Sequence, residues 1–286
     1  MRYLLLPMIA AAAFAQTQKP LMPEDLFRRN IGTREQQHKQ FPPHKIAGNL
    51  YYVGTESLAS FLVVTPEGDI LINSDYEQDV PTIKDSVEKL GFKFSDVKIL
   101  LGSHAHADHM EGDAMVQELT GAKLMAMSED IPALSKITPG GKPHRIDGVL
   151  HDGDTVTLGG TTLTAHLTPG HTRGCTTWSF RVADGGRIYD VVIIGSMGVN
   201  PGYQLVNNKD IPNISDEYMR GFKVLRSLPC DIPLGSHPAM FNMAEKYAKV
   251  GKGPNPYVDP EGYKKEIDIN ETAFTLRRAE QVKAAQ

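Results

Sequence analysis

Apolar residues along this chain fall mostly into short runs separated by Gly and Pro, with a few windows at helical spacing. Residues 49–53, 60–65 and 69–73 predict three short strands, the last two joined by the turn Thr65-Pro66-Glu67-Gly68. Val80, Ile83, Val87 and Leu90 then recur at the spacing of one helix face, and Gly91 supplies the stop. Residues 97–101 read as a fully buried strand. A helix over 110–120 ends at Gly121, and 123–127 is a strand. Residues 155–158 and 161–167 form a hairpin across Gly159-Gly160, and 177–182 and 187–194 another across Asp184-Gly185-Gly186. Ser215 reads as the cap of a helix carrying Tyr218, Phe222 and Leu225 on one face, and Asp259-Pro260 opens a closing helix. Two β-sheets face to face with helices outside satisfy this order, and no low-complexity linker divides the chain.

The N-terminus follows a different pattern. Met1-Arg2 precedes an uncharged apolar stretch that ends Ala13-Phe14-Ala15, the signature of a secretory signal peptide over 1–15. An uncleaved anchor or a buried helix is the competing reading, but the stretch is shorter than the ~20 residues needed to span a bilayer. Residues 16–45 are polar and broken by Pro, so an extended lead-in is expected before a domain over 46–286. Composition is that of an ordinary soluble globular protein: 41% hydrophobic, 22% charged and a net charge of −4. A nucleic-acid partner is disfavoured because no basic excess exists. No stable membrane insertion and no protein partner are implied. Cys175 and Cys230 permit one bridge at most, or two small buried hydrophobes.

The chemistry concentrates in histidines. His104-Ala105-His106-Ala107-Asp108-His109 places three imidazoles and a carboxylate directly after the strand at 97–101. On an extended segment His104, His106 and Asp108 share one side and His109 points away, so the segment can feed two centres. Packing alone gives no reason for such a cluster. Thr168-Pro169-Gly170-His171 follows another strand, with Pro-Gly suited to the middle of a type II turn. Gly235-Ser236-His237 ends a third. Imidazole and carboxylate are good ligands for zinc. His171 or His237 alone would read as an ordinary hydrogen-bonding loop residue. His166 alternates with Leu163, Ala165 and Leu167 and is expected to face solvent, while His38, His44, His144 and His151 are placed in loops without a chemical role.

This set of motifs resembles the metallo-β-lactamase superfamily over about residue 46 to the C-terminus. The resemblance implies an α/β fold, the αβ/βα four-layer sandwich, with two zinc ions per chain at one edge. It further implies that His104, His106 and His171 hold the first zinc and that Asp108, His109 and His237 hold the second. Asp108 would also orient the attacking hydroxide. Most hydrolases of that superfamily carry a metal-bridging Asp after the later strand, and many β-lactamases carry a Cys there. This chain reads Ile194-Gly195-Ser196-Met197, so Ser196 stands at that place. In this it is similar to the third subclass of class B β-lactamases, as are the stretches Pro201-Gly202-Tyr203-Gln204-Leu205 and Leu228-Pro229-Cys230-Asp231.

The implied activity is hydrolysis of the β-lactam amide by a metal-bound hydroxide, on a small-molecule β-lactam, in the periplasm or outside the cell. Ser196 would contact the substrate carboxylate. Another exported hydrolase of the same superfamily, such as a lactonase or thioester hydrolase, is the alternative; a non-catalytic zinc-binding protein is the alternative of another class. The loops over 128–147 and 197–212 mix Gly and Pro with polar residues and are expected to wall the substrate pocket.

Overall fold

The computed structural model describes residues 20–138 and 142–286, so the proposed signal segment over 1–15 lies outside the described residues. Helices α1 (Pro23–Ile31) and α2 (Arg34–His38) come first, followed by strands β1 (His44–Ala47), β2 (Leu50–Tyr52), β3 (Phe61–Thr65) and β4 (Gly68–Ile72). Helix α3 (Val80–Lys89) leads to β5 (Val97–Leu101), α4 (Ala107–Met110), α5 (Asp113–Thr120), β6 (Lys123–Met127), α6 (Ile131–Leu134) and β7 (Ile146–Leu150). The second half supplies β8 (Thr155–Leu158), β9 (Thr161–Leu167), β10 (Thr176–Asp184), β11 (Arg187–Ile194), α7 (Ile214–Ser227), β12 (Ile232–Gly235), α8 (Met243–Tyr247) and α9 (Pro260–Ala284).

The strands form two sheets, β1 to β7 in chain order and β12-β11-β10-β9-β8. In the first, β1 to β4 run antiparallel and β4 to β7 parallel. Alternation along its strands sorts side chains between two cores. Phe61, Val63, Ile70, Ile72 and Leu101 face the other sheet, whereas Leu62, Leu71 and Leu100 join Val80, Ile83, Val87 and Val116 of α3 and α5 on the outside. Tyr218 and Phe222 of α7 and Ile267 and Phe274 of α9 belong to the core on the second sheet's side. The expected four-layer αβ/βα sandwich is therefore what the chain forms.

Several expectations need correction. The lead-in is not an extended strap: it holds α1, α2 and the start of β1. Helix α1 starts with Pro23, carries Glu24 and Asp25 in its first turn and Arg28 and Arg29 in its last, stops at Gly32, and buries Pro23 and Leu26. Strand β5 is not buried throughout, since Lys98 is exposed while Val97, Leu100 and Leu101 are covered. The helix expected over 110–120 is split in two, because the Gly112 N–H leaves the helix ladder and donates to the Asp75 carbonyl. Asn213 precedes α7, and the Ser215 hydroxyl donates to the Leu205 carbonyl at 2.6 Å instead of capping. Asp259 does cap α9, accepting from the Gly262 N–H.

Candidate metal centre

The C-terminal ends of β5, β9, β11 and β12 converge on one edge of the sandwich and deliver His104, His171, Ser196 and His237 respectively. Rigid strands thus aim loop residues, the usual division of labour at functional sites. Trp178 of β10 reinforces the edge: its indole N–H donates to the Gly102 carbonyl at 3.1 Å, just before His104. After Gly102 the chain bends through 103–106, with the His106 N–H donating to the His104 carbonyl at 2.8 Å, and His106 is the N-cap of α4. Asp108 therefore does not share a side with His104 and His106 by strand alternation. The helical turn carries Asp108 and His109 together toward His237.

Two groups result. His104, His106 and His171 form one, and Asp108, His109 and His237 the other, with the potential ligand atoms within 4.8 Å of one another in each. Ring centroids lie 4.5 Å apart for His104 and His171 and 4.8 Å apart for His106 and His171. The groups touch, since the His104 and His109 rings are 4.3 Å apart. In the second group Asp108 Oδ2 lies 3.4 Å from His109 Nε2 and 3.8 Å from His237 Nε2.

Neighbouring carbonyls orient the rings. His171 Nδ1 donates to the Gly198 carbonyl at 2.7 Å, and His237 Nδ1 donates to the Ser57 carbonyl at 3.0 Å. A carbonyl only accepts, so the proton sits on Nδ1 and the Nε2 lone pair is free in both rings. The Pro169-Gly170 turn before His171 places Gly170 at φ +129°, where a Cβ would also lie 2.6 Å from the Tyr218 ring.

Electrostatics favour the neutral form of His104, His106, His109 and His171. Burial, aided by neighbouring imidazoles, pushes His104 well below its ordinary value and takes His109 and His171 down to about 3. Burial likewise lowers His106. Burial alone would raise Asp108, but the imidazoles of His109, His237, His106 and His171 outweigh it and hold the carboxylate below its ordinary range. Buried Nε2 of His104 and both ring nitrogens of His109 have no hydrogen-bond partner. Each such orphan costs about 1–3 kcal/mol unless something else meets it. Neutral imidazoles, one ionised carboxylate and unpaired lone pairs fit a divalent cation.

A model of the Metallo-beta-lactamase superfamily matches residues 53–185. The solved FEZ-1 metallo-β-lactamase from Legionella gormanii is 53% identical, with 85% of this chain and 97% of that one covered at a TM-score of 0.81. The chain belongs to the metallo-β-lactamase superfamily. BJP-1, a subclass B3 metallo-β-lactamase of Bradyrhizobium japonicum, is 35% identical over 88% of this chain and 99% of that one, with a TM-score of 0.82. A hydroxyacylglutathione hydrolase of Maricaulis maris is 29% identical over 113 residues, 38% of this chain and 34% of that protein. The chain thus matches about a third of the length of this curated relative.

Within this superfamily frame, Ser196 is largely buried and lines a cavity of about 280 Å³ shared with His106, Asp108, His171 and His237. Asp108 is the one carboxylate in its lining among the described residues. Phe27, Asn30 and Ile31 of α1 line it as well, a contribution that the polar composition of the lead-in did not signal. A larger cleft of about 800 Å³ shares His106 and His171 and extends between residues of the two expected wall loops, such as Pro132, Ala133, Tyr203 and Ile211.

The other histidines divide differently. His44 is not in a loop but in β1, buried and bonded to Tyr257. His166 is half-buried and bonds Ser179 at 2.7 Å, so it is not simply solvent-facing. His144 meets buried Asp113 at 3.2 Å. Cys175 is a buried free thiol, as expected of a small packing residue, and burial pushes its pKa up; Cys230 is free too. Among the described residues no helix is long and apolar enough to cross a membrane.

Proposed function

We propose that this protein is an exported, zinc-dependent hydrolase that opens the amide bond of β-lactams. The observation that carries the reading is the adjacency of the two ligand groups around a cavity to which β11 brings a hydroxyl, Ser196, rather than a carboxylate. Likeness to FEZ-1 and BJP-1 over nearly their whole chains supports it.

In this reading His104, His106 and His171 hold one zinc ion and Asp108, His109 and His237 a second. Zinc supplies, when bound, a water that ionises near neutral pH and a Lewis acid toward a carbonyl oxygen. The chain supplies orientation. The Gly198 and Ser57 carbonyls orient the rings of His171 and His237, and burial favours the unprotonated form of His171. Asp108, ionised and facing the cavity, accepts a hydrogen bond from the attacking water and aligns it with the ring carbonyl. Ser196 Oγ donates to the substrate carboxylate. Tyr218 and His171 both donate to the Gly198 carbonyl, at 2.8 and 2.7 Å, which steadies the loop after Ser196. The larger cleft seats the variable side chain of the substrate.

Export rests on the proposed signal over 1–15, followed by a lead-in over 16–45 and a catalytic domain over 46–286. Because α1 lines the cavity, part of the lead-in belongs to the working site. The mature N-terminus of periplasmic protein is expected just after Ala15.

A second reading, thioester hydrolysis, draws on the partial match to hydroxyacylglutathione hydrolase. Steady-state assays of zinc-loaded protein with a penicillin, a cephalosporin, a carbapenem and a glutathione thioester separate the two. Turnover of at least one β-lactam, lost on chelation and restored by zinc, is expected. Thioester turnover with inert β-lactams would favour the second reading.

A further inference from the structure

Asp130 lies just after β6 and is 3% exposed. Its carboxylate accepts three hydrogen bonds from two separate segments of chain. Oδ2 takes the Ala105 N–H at 2.8 Å and the Thr172 hydroxyl at 2.8 Å; Oδ1 takes the Gly174 N–H at 2.6 Å. Ala105 stands between His104 and His106, and Thr172 follows His171. A single buried carboxylate therefore ties together the two segments that carry the first imidazole group. The approach at Gly174 is close enough that a Cβ there would lie 2.5 Å from the Asp130 backbone nitrogen.

We propose that Asp130 is the positioning residue of the His104–His106–His171 group and sets its affinity for metal, acting through the backbone and not as a ligand. The inference rests on reading that group as a metal site. The second group is held by other bonds. The Ser74 N–H donates to the His109 carbonyl at 3.0 Å, and the Ser57 carbonyl orients His237. Neither runs through Asp130, so the effect is expected to fall mainly on the first group, although the His109 N–H also donates to the His106 carbonyl at 3.1 Å.

A carboxylate suits this place because it only accepts, and all three neighbours donate. Asn keeps one acceptor oxygen and turns an amide N–H₂ toward a donor. The N–H of Ala105 or Gly174 is then left facing another N–H in a buried setting. Partners that orient metal ligands in this way typically contribute 10–100-fold in affinity.

The test reads zinc binding one group at a time, with competition against a chromophoric chelator in full-length protein. In a His237→Ala background, Asp130→Asn is expected to weaken zinc binding by about 10–100-fold. In a His171→Ala background, which leaves the second group, the same change is expected to cost under about threefold. Thr172→Val removes one donor and keeps the shape; it should give a smaller loss with the same selectivity, and it serves if Asp130→Asn does not fold. Equal losses in both backgrounds would show a general structural role and overturn the proposal, as would no loss in either. Parent protein in the His237→Ala background that binds no zinc would sink the metal reading itself. Tight parent binding unchanged by Asp130→Asn and Thr172→Val would sink only the role of Asp130.

Discussion

His44 and His104 are both almost wholly buried, at 8% and 2% exposure, yet the fold treats them in opposite ways. His44 sits among Phe41, Tyr52, Tyr247 and Tyr257 with both nitrogens satisfied: Nδ1 donates to the Pro42 carbonyl at 2.8 Å, and Nε2 accepts from the Tyr257 hydroxyl at 2.5 Å. His104 meets other imidazoles edge to face, and its Nε2 has no partner. Both are pushed toward the neutral form by burial. Burial and a lowered pKa thus do not distinguish a structural histidine from a candidate ligand. Convergence of unpartnered lone pairs does.

If that distinction is sound, the two regions respond differently to the same kinds of change. The largest effect is expected at Asp108, where Asp108→Ala removes a proposed ligand that is also proposed to align the attacking water. A loss in kcat/KM of at least about a hundredfold, or about 2.7 kcal/mol, is expected in steady-state β-lactam assays. A loss below tenfold would mean that the second group is misassigned.

Acidification separates the regions next. Unfolding returns His44, His104, His106, His109 and His171 to ordinary values near 6.5, so below that pH the unfolded chain binds more protons than the folded one. Metal-free protein should therefore lose stability as pH falls from about 6.5 toward 3. Burial raises Asp75, Asp113 and Asp130, whose protons the folded state holds more tightly; these flatten the fall at its acid end. Urea midpoints of chelated protein at pH 7.5 and 5.5 should differ by on the order of a few kcal/mol of stability, and equal midpoints would contradict the account.

A smaller effect, on stability alone, is expected from His44→Phe. It leaves the buried Tyr257 hydroxyl without its partner, at a cost of about 1–3 kcal/mol. Zinc content per folded chain should not change, and a drop would show that His44 is not merely structural. Ser196→Ala comes last, with about 0.5–1.5 kcal/mol lost from transition-state binding as one hydrogen bond disappears. A loss as large as that of Asp108→Ala would reverse the roles given to the two residues.

How much of this was readable beforehand follows the same physics. Strands β5, β6, β8, β9 and β11 occupy the expected ranges because runs of apolar or alternating residues, bounded by turns, need no tertiary context to be recognised. Strand β7 is not among the expected strands, and its first two residues fall in the expected loop over 128–147: Ile146-Asp147-Gly148-Val149-Leu150 is an edge strand with little burial before Leu150. Strand β1, with His44 and Lys45 in four residues, carries too little pattern of its own. At the site, the six candidate ligands were visible as residue types at strand ends, and the structure gathers all of them into two groups. The turn that begins at Ala107 was not visible, and it changes which residues travel together. Nor were Asp130, Phe27 and Asn30, whose place depends on contacts between segments far apart in sequence.

The central claim, that these six residues hold two zinc ions, is tested most directly by metal analysis of purified protein dialysed against trace zinc. Two ions per chain are expected, falling to about one for His237→Ala and for His171→Ala. Fewer than one ion per parent chain, or two retained in either variant, would contradict that claim.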